Sequence, residues 1–203
     1  MISAPNLKEV SGIEHGFGTK AEDAWLGQEG HAWAKQIHSD IILRPRKEGL
    51  AGDGDALVTT KPELWVSIRT ADCLPLLLVD PVAQIVAAVH AGWRGTVANI
   101  SVKALHVMQE FGAQLSDIRV AIGPGIGYCC YEVGPEVSPF FGESGTAHVD
   151  LAAANERQLT EAGLDMEQIW VSKHCTKCNP ELLHSYRRDA DAAGRLVSAI
   201  RLV

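Results

Sequence analysis

Leu74-Pro-Leu-Leu-Leu-Val79-Asp80-Pro81-Val-Ala-Gln84-Ile-Val-Ala-Ala-Val89-His90 is the stretch on which the fold turns. Two apolar runs, read as strands over residues 76–79 and 84–90, flank Asp80-Pro81, a turn signal far too short to hold a crossover helix. The pair therefore predicts an antiparallel hairpin inside a mixed sheet. Neither run alternates with polar residues, and 84–90 is almost continuously apolar, the mark of a strand covered on both faces.

Outward from this hairpin, β-branched and apolar runs predict further strands at 37–43, 64–68, 118–122, 169–172 and 196–203. After Gly95-Thr96, Val97, Ile100, Ala104, Met108 and Phe111 recur at steps of three and four, which predicts one helix capped by Gly112. A second helix, started by Asp150 and ended by Gly163, carries Leu151, Ala154, Leu159 and Ala162. No repeat or Pro/Ser linker divides the chain, so residues 1–203 are expected to form a single α/β (α+β) sandwich of mixed β-sheets covered by helices.

Charge narrows the partners. Against 18 Lys and Arg stand 25 Asp and Glu, a net −7 that offers no cationic field to a nucleic-acid backbone. The longest stretches without a charge, 81–93 and 120–131, fall short of the ~18 residues needed to cross a bilayer, so no membrane role is expected. Lys8 and Glu9 interrupt the N-terminus before an apolar secretory core develops, and the expected location is cytoplasmic. Five cysteines in such a chain do not suggest a disulfide framework. Cys175-Thr-Lys-Cys178 is a lone CxxC, whereas a four-cysteine zinc site usually draws on two such pairs; these two residues are expected to be partly buried, inert thiols.

The chemistry gathers where strands end. His90 closes the second hairpin strand and leads into Ala91-Gly92-Trp93-Arg94-Gly95-Thr96. Two glycines permit close backbone approach, a helix start offers N–H groups to an anion, and Arg94 adds a planar bidentate donor. Cys73 stands in Thr70-Ala-Asp-Cys-Leu-Pro75 before the first hairpin strand, and His38 in Lys35-Gln-Ile-His-Ser-Asp40. A thiolate with two imidazoles suits Zn²⁺ with one position left open, although spacing alone does not bring His38 to the other two. Gly123-Pro-Gly-Ile-Gly127 lacks the spacing of a nucleotide loop and reads as a shaped turn. Arg187 and Arg188 are either surface ion-pair partners or anion contacts.

Taken in order, KQIHSD, DALVT from Asp55, TADCLPLLLVD, AAVHAGWRGT, AIGPGIG with CCYEVG, DLAAANERQL, HCTKC and SYRRDADAAGR resemble the signature segments of the laccase-domain family. That family was formerly described as multicopper polyphenol oxidoreductases and is now regarded as zinc-dependent purine nucleoside phosphorylases. The resemblance implies one zinc per chain on His38, Cys73 and His90. It further implies phosphorolysis of adenosine, inosine and methylthioadenosine, with adenosine deamination as a further reaction of the same centre. On this reading Cys73, His90 and Arg94 form the catalytic set, Arg94, Gly95, Thr96 and Arg187 meet substrate or phosphate, and the partners are a purine nucleoside and phosphate. The match weakens towards the N-terminus: Lys20 replaces an arginine, the Gly-Gly segment expected just after it is missing, and His184 replaces an aromatic residue before SYRRD.

Two rival readings follow from the same residues. Two histidines and a cysteine can hold copper, as a laccase-like polyphenol oxidase would require, but a multicopper cluster needs His-x-His pairs and the eight histidines contain none. Zinc is therefore preferred to copper. The other rival is a non-enzymatic metal- or nucleotide-binding protein.

Overall fold

The computed structural model describes residues 1–21 and 29–203. Its strands are β1 (Ile13–Phe17), β2 (His31–Lys35), β3 (Ile42–Leu43), β4 (Gly49–Asp53), β5 (Ala56–Thr59), β6 (Trp65–Thr70), β7 (Leu74–Asp80), β8 (Ile85–Ala91), β9 (Arg119–Ile122), β10 (Glu132–Val133), β11 (Ala147–His148), β12 (Ile169–Val171) and β13 (Leu196–Leu202). The α-helices are α1 (Pro5–Lys8), α2 (Trp93–Val97), α3 (Ile100–Glu110), α4 (Leu151–Glu161) and α5 (Tyr186–Asp189).

The hairpin forms as its turn chemistry dictates. β7 and β8 pair antiparallel from Leu74 opposite Ala91 to Asp80 opposite Ile85. Asp80 is fully buried; one carboxylate oxygen accepts from the amides of Val82 (2.9 Å) and Ala83 (2.8 Å), the other from that of Gln114 (2.9 Å). Every residue of both strands is buried, and their alternation shows why. Leu76, Leu78, Ala87 and Val89 pack with Ile100, Ala104 and Met108 of α3 and with α4, while Leu77, Val79, Val86 and Ala88 pack with Val66 and Ile68 of β6 and Ile200 and Leu202 of β13. A helical layer, a six-stranded sheet (β12-β9-β7-β8-β5-β3) and a five-stranded sheet (β1-β13-β6-β2-β4) thus stack as an α/β sandwich. Both sheets are mixed: β12–β9, β3–β5, β2–β4 and β2–β6 are parallel, and the remaining pairs in these two sheets antiparallel.

Two expectations are corrected. Of the strand expected at 37–43 only Ile42–Leu43 is extended in a ladder, because His38 adopts a left-handed backbone (φ 58°) that no strand can continue. The helix expected from Val97 to Phe111 is two helices, broken where Asn99 also turns left-handed (φ 58°). Gly112 (φ 106°) ends α3 as expected. Asp150 caps α4 by accepting from the Ala153 amide at 3.0 Å, a contact worth about 1 kcal/mol. Strands β1, β2 and β4 carry too little apolar patterning to be read from the sequence, and the apolar run of β5 is only four residues long. The glycines of 123–127 are packing devices: a Cβ on Gly123 would lie 2.2 Å from the Phe17 ring, and one on Gly125 2.4 Å from Leu74. The missing segment after Lys20 falls at 22–28, outside the described residues, among which no helix is long and apolar enough to cross a membrane.

Candidate metal centre and cavity

On β8 the side chains facing the second sheet are Val86, Ala88 and, one alternation on, His90, so the histidine emerges at the strand's end between the two sheets. Cys73 enters from the turn before β7 and His38 from the loop after β2. Their ligating atoms lie within 4.8 Å of one another, and the two imidazoles meet edge to face with centroids 5.0 Å apart. Gly92 closes the back of the group: a Cβ there would come within 3.0 Å of the Cys73 sulfur and 3.3 Å of the His38 ring.

Asp55, which the sequence reading quoted but gave no role, organises this cluster. It is fully buried at the head of β5; it accepts from the amides of Ile37 (3.2 Å), His38 (3.0 Å) and Ser39 (2.6 Å) and from the Ser39 hydroxyl (2.7 Å). Those bonds hold the left-handed turn that presents His38. The same carboxylate lies 2.7 Å from His90 Nδ1, which leaves His90 Nε2 for the centre. The signal was present: a single acidic residue opening an otherwise apolar strand.

Charge follows from these contacts. Burial works to raise the Asp55 carboxyl, but the hydrogen bonds from His90 and Ser39 outweigh it and hold the group down at about 2. Burial works to lower His90, yet Asp55 and the Cys73 sulfur lift it to about 9. Burial also opposes ionisation of Cys73, and the neighbouring His38 and His90 overcome it, bringing the thiol to about 7. Without metal the centre therefore stores a proton on His90 that any cation must displace. Zinc affinity of the metal-free protein, measured by chelator competition, is expected to rise about tenfold per pH unit between pH 7 and 9, to rise more steeply below 7, where Cys73 is also protonated, and to level off above 9. A pH-independent affinity across that range would contradict the arrangement.

The cluster lies in a cavity of about 750 Å³ between the sheet ends. Trp33, Tyr131 and Tyr186 give it aromatic walls, and Arg69, Arg187 and Arg195 give it cations. Asp72 (φ 88°) joins the far side: its carboxylate accepts from the Thr176 hydroxyl (2.5 Å) and from the Arg187 amide (2.6 Å), fixing the segment that carries Arg187. Arg187 also donates to the Glu132 carbonyl (2.8 Å) and its guanidinium lies 5.4 Å from the Tyr131 ring centre. Arg188 is a structural clamp, bidentate to Asp189 (2.8 and 2.7 Å) and donating to the carbonyls of Thr176 and Leu183.

The other expected anion contacts lie elsewhere. Among the described residues lining the cavity, Arg94, Gly95 and Thr96 are not found. Arg94 is exposed, its guanidinium 4.2 Å from the Trp93 ring centre. Thr96 is fully buried, its hydroxyl accepting from Asn155 (2.9 Å) and its carbonyl from Gln158 (2.9 Å); these bonds join α2 to α4. Gly95 is buried beneath Ile100 and the Ser39 carbonyl. Gly95 and Thr96 therefore serve packing, and α2, with five residues, has little dipole to offer an anion. Cys129, Cys130, Cys175 and Cys178 converge with their sulfurs within 4.8 Å; of the CxxC pair expected to be partly buried, Cys175 is buried and Cys178 exposed.

Residues 18–203 match a family model described as multi-copper polyphenol oxidoreductase laccase. A purine nucleoside phosphorylase of Deinococcus radiodurans is 41% identical over 177 residues, covering 82% of this chain and 68% of that protein. Adenosine deaminase RL5, from an unknown prokaryotic organism, is 39% identical over 160 residues, or 72% and 61% of the two chains. The crystal structure of YlmD from Geobacillus stearothermophilus superposes with a TM-score of 0.89 at 28% identity, covering 98% of this chain and 94% of that one. The segments that set His38, Cys73 and His90 around Asp55 all fall inside the matched region, and the chain belongs to this laccase-domain family, whose curated members similar to it are named mainly as purine nucleoside phosphorylases.

Proposed function

We propose that this protein is a zinc-dependent purine nucleoside phosphorylase that cleaves adenosine, inosine and methylthioadenosine to the free base and the (methylthio)ribose 1-phosphate. The observation that carries the reading is a thiol and two imidazoles, braced by one buried carboxylate, in a cavity that joins aromatic and cationic walls. The donor set fits zinc: two imidazole nitrogens and one thiol sulfur lie within 4.8 Å of one another, and all three residues line the cavity. When bound by His38, Cys73 and His90, zinc would supply Lewis-acid stabilisation of an oxyanion.

The protein's own residues do the rest. Trp33, Tyr131 and Tyr186 offer faces on which a purine stacks. Phosphate attacks C1′ as the bond to the purine nitrogen breaks, so the site must hold a dianion beside C1′ and ease the departure of an electron-rich base. Arg187, in the wall and anchored through its own amide to Asp72, is the first candidate to hold the dianion, with Arg69 and Arg195 around it. Arg94 is the second candidate, reaching from outside the lining. Burial foremost lifts the Tyr131 phenol to about 12, so at neutral pH it keeps a proton with which to hydrogen-bond the leaving base.

Adenosine deamination is the second reading, favoured by the 39% identity to a protein named as an adenosine deaminase. One experiment separates the two. With inosine, release of hypoxanthine is expected to rise and saturate with phosphate and to yield ribose 1-phosphate; free ribose at a phosphate-independent rate would defeat the proposal. With adenosine, adenine marks phosphorolysis and inosine marks deamination. Arg187→Ala is expected to lower kcat/KM for phosphate on the order of 10²- to 10³-fold, and Arg94→Lys by less. The opposite ranking would exchange the two arginines. The proposed setting is the cytoplasm, with nucleoside and phosphate as partners.

A further inference from the structure

Behind the cavity lies a second cluster of metal-ligating residues, formed by segments 45 residues apart in the sequence, from Cys130 to Cys175. Cys129 and Cys130 come from the turn after Gly127, and Cys175 and Cys178 from the loop after β12. Their sulfurs are 3.3 Å apart for Cys130–Cys178, and 3.7 Å for both Cys129–Cys130 and Cys129–Cys178; all four fall within 4.8 Å. Zn–S bonds of about 2.3 Å in a tetrahedron place sulfurs about 3.8 Å apart, so the group is sized for one ion. A multi-iron cluster would hold its cysteines farther apart.

The surroundings agree. The Gly127 amide donates to the Cys175 sulfur at 3.2 Å, an N–H contact that stabilises a ligating thiolate and is of little use to a neutral thiol. Gly127 packs closely on the group: a Cβ there would lie 3.3 Å from Cys175 Cβ and 3.4 Å from the Cys129 sulfur. The two segments are also laced together by a backbone bridge between Gly125 and Cys175 and by the Thr176 amide donating to the Gly125 carbonyl (2.9 Å). Cys129 and Cys178 are exposed, so burial of their own side chains does not account for their place in the group.

We infer that Cys129, Cys130, Cys175 and Cys178 bind a second, structural Zn²⁺, distinct from the His38–Cys73–His90 centre, which clasps the segment between the cavity-lining Ile126 and Tyr131 to the loop after β12. Zinc is chosen over ferrous iron because the same thiolate set binds it more tightly in the divalent series and no redox step is required there. The clasp acts on the cavity through Thr176, whose hydroxyl donates to Asp72, the neighbour of Cys73, and through Tyr131, the neighbour of Cys130. The inference does not depend on the reaction proposed above.

The test is metal content and thiol reactivity of the full chain purified under reducing, oxygen-free conditions and dialysed without added metal. Two zinc ions per chain are expected. The Cys130→Ser/Cys178→Ser variant should keep one, and the single Cys73→Ser variant should also keep one. Should the double variant fail to fold, the wild type decides alone. Its five cysteines should resist a thiol reagent until a chelator removes both ions. Cobalt loaded into Cys73→Ser should give the intense charge-transfer absorption of a four-thiolate site. One zinc per chain with four freely reactive thiols, a Cys130–Cys178 disulfide, or iron in place of the second zinc would each overturn the assignment. Inactivity towards nucleosides with two zincs bound would overturn only the proposed function.

Discussion

Replacing Asp55 with alanine is expected to destabilise the protein by about 3–5 kcal/mol, the range for removing one partner of a buried ion pair. The carboxylate and His90 are 0% and 4% exposed and 2.7 Å apart, so alanine would leave the imidazole's Nδ1–H without an acceptor in a site water cannot easily reach. It would also release three amides and a hydroxyl that hold the turn at His38. The Asp55→Asn variant is the informative comparison: it keeps the shape and part of the hydrogen bonding but loses the charge, and zinc affinity at the His38–Cys73–His90 centre should fall by about 10- to 100-fold. Thermal unfolding and chelator competition measure the two effects separately. Because Asp55 is depressed to about 2 against an ordinary 3.8, its stabilisation is fully present above pH 4 and is lost as pH falls through 2. The difference in stability between wild type and Asp55→Asn should therefore shrink on acidification. A variant as stable as wild type at pH 7 would show that the bonds around Asp55 carry no net weight.

The second large effect is expected at Cys73. Cys73→Ser replaces a sulfur ionising at about 7 with a hydroxyl that does not ionise in this range, so the site loses its one anionic ligand. Zinc at that centre should be lost and kcat/KM for inosine phosphorolysis should drop by about 10³-fold or more, the scale of removing a principal charge-stabilising group. The fold should remain, because the sandwich core is built from the alternating faces of β7 and β8 and does not include Cys73. Equal turnover by a correctly folded Cys73→Ser protein would exclude the centre from the reaction, and global unfolding would make it structural instead.

How far the sequence could be read depended on where each residue's partners lie. The β7–β8 hairpin was legible because both strands are apolar throughout and the turn between them is a local Asp-Pro signal. The start of α4 was legible for the same reason, its cap residue being three positions from the amide it holds. The left-handed backbone of His38 was not, because the bonds that hold it come from Asp55, 17 residues away; that of Asn99 interrupts an apolar period that runs unbroken through it. The metal triad was reached through the family resemblance, since no periodicity brings residue 38 to residue 73. An arginine beside two glycines invites the anion-contact reading of Arg94; its guanidinium lies against Trp93 within α2, while Thr96 is held by Asn155 of α4, 59 residues away. The convergence of the four cysteines was hidden for a related reason: Cys129-Cys130 is not a CxxC, and a backbone bridge from Gly125 to Cys175 joins its segment to one.

The order β1-β13-β6 in the five-stranded sheet has a consequence for synthesis on the ribosome. β13 pairs with β1 on one edge and with β6 on the other, so the gap between those two early strands stays open until residues 196–202 emerge. The β7–β8 hairpin can close while translation continues, but its face carrying Leu77, Val79, Val86 and Ala88 must wait for Ile200 and Leu202 to complete its cover. From the completion of β8 at Ala91 until β13 emerges, the nascent chain therefore carries an apolar sheet face that only part of its partner sheet covers, the species on which holding chaperones act.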